Sequence, residues 1–269
     1  MSDLIEGYLG KTVEGRKSRL PAKLDFMQSF TGGFLALFMW AHMLLVSSIL
    51  VSNDFMYTVT KLLEGSFIFE GGSPILVTIA AAVIFTIFIV HAALGMRKLP
   101  GNFKQYQVMK AHSKSMNHDD TKLWFIQAFT GFAMFFLGSV HLYIIMTHSD
   151  AIGPYESSDR VWSEWMWPLY IFLLLAVEFH GTIGLYRLCV KWGWFDGANP
   201  KATRKALKKI KWALTVFFLV LGFASLAAYM KIGMENAANG TVGQKYTPTA
   251  KVMEFNITNK SVEELHNEN

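Results

Sequence analysis

Five long stretches with almost no charged side chains dominate this chain of 269 residues. They run Phe26–Ser52, Ser73–Met96, Leu123–Thr147, Trp165–Tyr186 and Trp212–Met230. Each is close to the roughly 20 residues that an α-helix needs to cross the hydrocarbon core of a bilayer. Since that core offers no water to backbone amides, such a segment crosses it as a helix. The sequence therefore predicts an all-α membrane protein with five transmembrane helices.

Lysine and arginine residues fall on alternate sides of these spans. Five precede residue 26, six lie in 97–122 and eight in 187–211, whereas the connections 53–72 and 148–164 carry one each. Loops rich in lysine and arginine stay on the cytoplasmic side of a membrane. The N-terminus is therefore expected in the cytoplasm and the C-terminus outside. The same pattern explains the net charge of +5 without a nucleic-acid partner.

The charge pattern divides the chain into three parts. We expect a cytoplasmic N-terminal segment, 1–25, a membrane domain, 26–232, and a polar outer tail, 233–269, that is mobile. The lone cysteine, Cys189, excludes an internal disulfide and a thiolate metal cluster.

Four histidines lie inside the predicted spans, one in each of the first four: His42, His91, His141 and His180. An ionisable side chain at membrane depth is costly and therefore points to function. At about 1.5 Å per residue, His42 and His141 fall in the outer part of the bilayer, and His91 and His180 near its inner face. Two facing neutral imidazoles suit a six-coordinate haem iron. We predict two such pairs; the alternative is four unrelated polar contacts between helices.

Four charged residues are candidates for supporting roles. Glu178, the one acid inside a span, is expected to be protonated or to face a polar cavity, either on a proton route or in a structural hydrogen bond. Glu64, in an outer connection, could accept a quinol proton, although the sequence alone favours a solvated loop acid. Lys191 at the inner edge and Arg160 at the outer edge could pair with haem propionates, or could be plain topology charges.

Five stretches of the chain are similar to one known family. They are Ser18–Asp25, Phe67–Gly72, Phe132–Tyr143, Ser163–Tyr170 and Lys191–Gly197. On these stretches the chain resembles the dihaem cytochrome b membrane subunit of bacterial menaquinol:fumarate reductases and succinate:quinone oxidoreductases. The likeness runs from about Ser18 to Met230.

The resemblance implies a four-helix bundle that holds two haem b groups, with one peripheral helix. The family's four haem ligands fall on the four span histidines, its menaquinol-site glutamate on Glu64 and its proton-route glutamate on Glu178. Menaquinol would be oxidised near the outer face, and electrons would pass inward to a fumarate reductase, or in reverse from succinate.

The resemblance also implies partners and a location. The expected partners are a flavoprotein subunit carrying FAD and an iron–sulfur subunit, in a possible dimer of heterotrimers, besides membrane lipid. The expected location is the bacterial cytoplasmic membrane.

Other functions remain open at this point. The chain could be the cytochrome b subunit of a membrane hydrogenase or formate dehydrogenase, which also binds two haems and a quinone. It could instead be a proton or ion transporter with histidine relays, which predicts a colourless protein. A purely structural anchor would not need four span histidines.

Overall fold

The structure, a computed structural model, describes residues 19–116 and 118–249, which form helices and connecting turns without a β-strand. Eight α-helices follow one another in these residues: α1 (Leu20–Val46), α2 (Asn53–Leu63), α3 (Pro74–Met96), α4 (Phe103–Met116), α5 (Asp119–Thr147), α6 (Pro154–Trp162), α7 (Trp167–Trp192) and α8 (Pro200–Asn239). A short 3-10 helix, Ser47–Leu50, extends α1. Most of the predicted N-terminal segment 1–25, and the tail from residue 250 onwards, lie outside the described residues.

Five of these helices are long and apolar enough to cross a membrane: α1 with its 3-10 extension, α3, α5, α7 and α8. The prediction of five transmembrane helices is therefore confirmed. The helices run past the predicted spans, most of all α8, because a span ends where apolar residues end but a helix ends at its caps. Asn199 and Pro200 begin α8, and Gly240, with a positive φ of 68°, ends it.

Four of the spanning helices form a closed bundle. Helix α1 packs against α3, α3 against α5, α5 against α7, and α7 against α1. Helix α8 lies outside this ring and packs mainly on α7 and α6. Hydroxyl contacts join it to the bundle, since Thr215 donates to Thr182 at 2.8 Å and Ser225 donates to Ser47 at 2.9 Å. The predicted four-helix bundle with one peripheral helix is thus the observed fold.

The chain beyond the fifth span differs from the expected polar tail, 233–269. The predicted boundary at residue 233 falls inside α8, which continues to Asn239. Residues 240–249 then fold back over the outer connections. Asp159 of α6 accepts hydrogen bonds from Asn236 and from the backbone of Gly243, both at 2.8 Å. The described part of the tail is therefore attached to the helices; the remainder of the expected mobile tail lies outside the described residues.

Candidate functional site

The four span histidines meet in two pairs. The ring centres of His42 on α1 and His141 on α5 are 6.1 Å apart. Those of His91 on α3 and His180 on α7 are 6.2 Å apart. Both pairs join helices at opposite corners of the bundle, which run in the same direction. These are the pairs that helix depth predicted.

The spacing within each pair fits one metal ion between two imidazoles. A metal–imidazole bond is about 2.0 Å long, so two rings on opposite sides of one iron have centres about 6 Å apart. In the described part of the chain, no group of three or more His, Cys, Asp or Glu side chains could hold a metal ion. The arrangement therefore suits a cofactor with its own equatorial ligands better than a bare ion.

Hydrogen bonds to Nδ1 fix both rings of the pair formed by His91 and His180, called the inner pair because sequence depth predicts it near the inner face. Nδ1 of His180 donates to the backbone carbonyl of Gln127 at 2.8 Å. Nδ1 of His91 lies 3.1 Å from the hydroxyl of Thr31, which itself donates to the carbonyl of Met27. A proton on each Nδ1 leaves each Nε2 with a free lone pair, the state in which imidazole binds a metal.

Two glycines let these rings lie against bare helix backbone. A Cβ added to Gly32 would lie 2.7 Å from Cε1 of His91, and one added to Gly131 would lie 2.6 Å from Cε1 of His180. Larger residues would push both imidazoles out of position. Close approach of a ring to a helix is the reason for glycine at these two positions.

A cavity of about 500 Å³ surrounds the inner pair. Its lining is mainly apolar around His91 and His180 and includes the cations Lys98, Arg187 and Lys191. A flat apolar group with acidic substituents fits a cavity whose lining is apolar around the histidines and also includes cations. The residues at the inner pair therefore fit a haem, with imidazoles for the iron and cations for propionates.

The outer pair has aromatic surroundings. Phe38 stacks on His42 with ring centres 5.9 Å apart, and Tyr170 meets His141 edge-on at 5.6 Å. Nδ1 of His141 is buried and makes no hydrogen bond within the described residues. A buried polar atom without a hydrogen-bond partner is unfavourable. The ring of His141 therefore suits a site in which a bound ligand provides the missing partner.

Sequence reasoning placed Lys191 at the inner site but missed its neighbours. Its ammonium contacts Asp25 and the hydroxyl of Ser29, the latter at 2.9 Å. Lys98 contacts the same Asp25, and Arg97 lies 3.8 Å from it. The sequence feature that could have placed Lys98 at this site was its position seven residues, or two helical turns, after His91. Nothing in the sequence marked Asp25 as their shared partner.

Arg160, the predicted outer cation, is buried in α6. Its guanidinium donates to the backbone carbonyl of Ala151 at 2.6 Å. That contact closes the outer connection between α5 and α6. Whether Arg160 also serves a propionate stays a prediction.

Glu178 is completely buried, and neither carboxylate oxygen has a hydrogen-bond partner within the described residues. Thr182, one turn further along α7, bonds to Thr215 of α8, so Glu178 lies toward α8 while His180 faces the central cavity. A carboxyl with this burial is best neutral. The structure thus places the acid and the histidine on different sides of α7.

Glu64 is not the solvated loop acid that the sequence alone favoured. Only 3% of it is exposed, and Lys61 donates to its Oε2 at 2.7 Å. Glu64 is enclosed because residues 53–63 form helix α2 and the following turn folds back over its end. Sequence reasoning missed Lys61 as its partner, although a spacing of three residues on a helix brings such a pair together.

Comparison with known proteins identifies relatives that cover most of this chain. The model of the succinate dehydrogenase/fumarate reductase transmembrane subunit family matches residues 104–221. The fumarate reductase cytochrome b subunit of Wolinella succinogenes is 58% identical over 86% of this chain and 91% of its own length. The subunit of the same description from Helicobacter pylori is 53% identical over 88% of this chain and 92% of its own length.

The chain belongs to the fumarate reductase cytochrome b subunit family. Five helices long and apolar enough to cross a membrane agree with this membership, and the chain is a multi-pass membrane protein.

Proposed function

We propose that the chain is the haem-bearing membrane subunit of a fumarate reductase complex that takes electrons from menaquinol. The two histidine pairs carry the proposal, because their spacings of 6.1 and 6.2 Å suit bis-histidine ligation at two depths. His42 and His141 would hold one haem b, and His91 and His180 the other. Haem b bound in this way supplies one-electron transfer.

The residues around the pairs have distinct roles in this proposal. Lys191, joined by Lys98, would neutralise propionates at the inner site, and Arg160 at the outer one. Glu64 would accept a proton from menaquinol near the outer face. Glu178 would belong to a proton route through the membrane. Moving one charge against 100 mV costs about 2.3 kcal/mol, which inward proton transfer alongside the electron would offset.

The rest of the complex follows from the relatives' descriptions and from the resemblance. A flavoprotein subunit with FAD would reduce fumarate, or oxidise succinate, and an iron–sulfur subunit would join it to this chain. The basic connections 97–122 and 187–211 offer these partners a surface on the side assigned to the cytoplasm.

The purified complex gives the decisive test. We expect a dithionite-reduced minus oxidised spectrum of b type with two haems per chain, together with co-purifying flavoprotein and iron–sulfur subunits. A well-folded complex without haem would overturn the proposal. A molybdenum or nickel partner in place of the flavoprotein would move the chain to another respiratory complex.

A further inference from the structure

The carboxylate of Glu64 is paired with Lys61 of its own helix, and the turn at Gly72 lies close enough to it to leave no room for a side chain. We propose that these two residues position Glu64 to accept the quinol proton. The inference rests on the proposed function, in which Glu64 is that acceptor. Neither Lys61 nor Gly72 would touch the quinol, so both are positioning residues.

Lys61 supplies an ion-pair partner to an almost fully enclosed carboxylate. Glu64 is the C-terminal cap of α2, where the helix dipole is negative and disfavours a carboxylate. It is also almost fully enclosed, and a buried charge without a partner is unfavourable. The ammonium of Lys61, 2.7 Å from Oε2, offsets both effects. Lys61 is itself 27% exposed and so reaches the outer water.

The ion pair leaves one carboxylate oxygen for the reaction. Lys61 occupies Oε2, and no hydrogen bond to Oε1 forms within the described residues. As the quinol gives up two electrons to the haem chain of the proposed function, one hydroxyl proton would pass to Oε1 of Glu64 and the other would leave to the outer water. Glu64 would then release its proton to the outer water while Lys61 holds Oε2 in place. In Lys61→Met the carboxylate would lose the partner that fixes the position from which Oε1 meets the quinol.

Gly72 brings the turn close enough to hold the carboxylate in place. The backbone amide of Ser73 donates to the carbonyl of Glu64 at 2.7 Å, which folds the turn back over α2. A Cβ at Gly72 would lie 2.8 Å from Cβ of Glu64 and 2.9 Å from its Oε2. Any side chain there would push the carboxylate away from Lys61.

The neighbouring glycine supplies a matched control. Gly71 and Gly72 have similar left-handed backbones, with φ of 75° and 80°. A side chain carries a similar conformational cost at both positions. A Cβ at Gly71, however, would meet nothing within 4 Å. The difference between Gly71→Ala and Gly72→Ala therefore measures the contact with Glu64.

The first experiment compares Lys61 variants in the intact complex with its partner subunits. The kcat and KM for a short-chain naphthoquinol would be measured, together with haem content and fumarate reduction by a dye that bypasses the quinol site. We expect Lys61→Met to lower kcat/KM by about tenfold or more with haem and dye activity unchanged, and Lys61→Arg to restore it. Exposed Lys231→Met is the control. Normal turnover in Lys61→Met, or failure of Lys61→Arg to rescue, would overturn the role of Lys61.

The second experiment compares the glycines by the same assays. Gly72→Ala should lose roughly ten- to a hundredfold in kcat/KM, the size expected for a displacement of about 1 Å, while Gly71→Ala stays close to the unmodified chain. Equal losses would mean that only backbone strain matters. Glu64→Gln distinguishes a failure of the proposed function from a failure of this inference. If Glu64→Gln retains turnover, the proposed role of Glu64 fails. If it abolishes turnover while Lys61→Met and Gly72→Ala remain active, only this inference fails.

Discussion

His91 and His180 meet across the bundle with ring centres 6.2 Å apart and ring planes nearly perpendicular, at 88°. The outer pair has almost the same separation but an angle of 56° between the rings. The inner rings are fixed through hydrogen bonds to Thr31 and Gln127, whereas the outer pair has aromatic neighbours. The two sites share a spacing and differ in what holds their rings, so we expect each to lose its cofactor independently.

Removing one histidine should therefore remove one haem. His91→Ala should leave one haem per chain, with the spectrum of the outer site, and His42→Ala should leave one with the spectrum of the inner site. The site should empty because the remaining histidine supplies only one of the two metal bonds that hold the haem. Haem quantified per polypeptide, with low-temperature spectra, measures this. Two haems retained in either variant would contradict the pairing.

The hydroxyl of Thr31 should matter to the inner haem. Thr31→Val removes the group that accepts from Nδ1 of His91, and loss of such an outer contact typically weakens metal binding by about 10–100-fold. Thr130→Val is the control, because Thr130 is similarly buried but bonds only to carbonyls of its own helix. We expect faster haem loss to an acceptor protein in Thr31→Val alone. Equal rates in the two variants would count against a role for this contact.

Glu178 should affect turnover without affecting haem content. Glu178→Gln keeps the shape of the side chain but cannot carry a proton, so quinol-linked turnover should fall, by about tenfold or more. Glu235→Gln, at an exposed acid of α8, is the matched control. Turnover is measured alongside haem content and dye-linked fumarate reduction. Unchanged turnover would remove Glu178 from the proposed route.

The segment 240–249 should stay attached to α2 over a defined pH range. Hydrogen bonds from Tyr246 and Thr249 hold the pKa of Asp54 below its usual value. Burial, with the hydrogen bond to Asp54, raises the pKa of Tyr246. The contact should therefore be lost below about pH 4, as Asp54 gains a proton, and above about pH 10, as Tyr246 loses one.

A nitroxide label in place of Gln244 would report this attachment. The label should become mobile at both ends of the pH range in the native sequence, and should be mobile already at pH 7 in Asp54→Asn. Thr58→Val changes a hydroxyl of α2 that bonds within its own helix and serves as control. A label that stays immobile in Asp54→Asn would show that other contacts hold the segment.

Much of the fold followed from local features of the chain. The number and positions of the five spans could be read from runs of apolar residues. The expected alternation of the connections between the two sides of the membrane could be read from loop charges. The pairing of His42 with His141 could be read too, because helix rise converts sequence distance into depth. Helix ends were less accessible: the span predicted at Trp212–Met230 belongs to a helix that runs Pro200–Asn239, because polar residues outside the bilayer continue a helix as readily as apolar ones.

The supporting contacts depended on how distant segments meet. Asp25 lies on α1, Lys191 on α7 and Lys98 in the turn after α3, and only the packing of these helices brings them together. Glu64 was expected in a solvated loop, and the structure encloses it because a turn folds back over the end of α2. The sequence by itself predicted which segments are apolar enough to span a membrane and how far along each span the histidines lie, because both are properties of a single helix. Only the tertiary structure decided which side chains touch, because lateral contacts arise between segments that the chain keeps far apart.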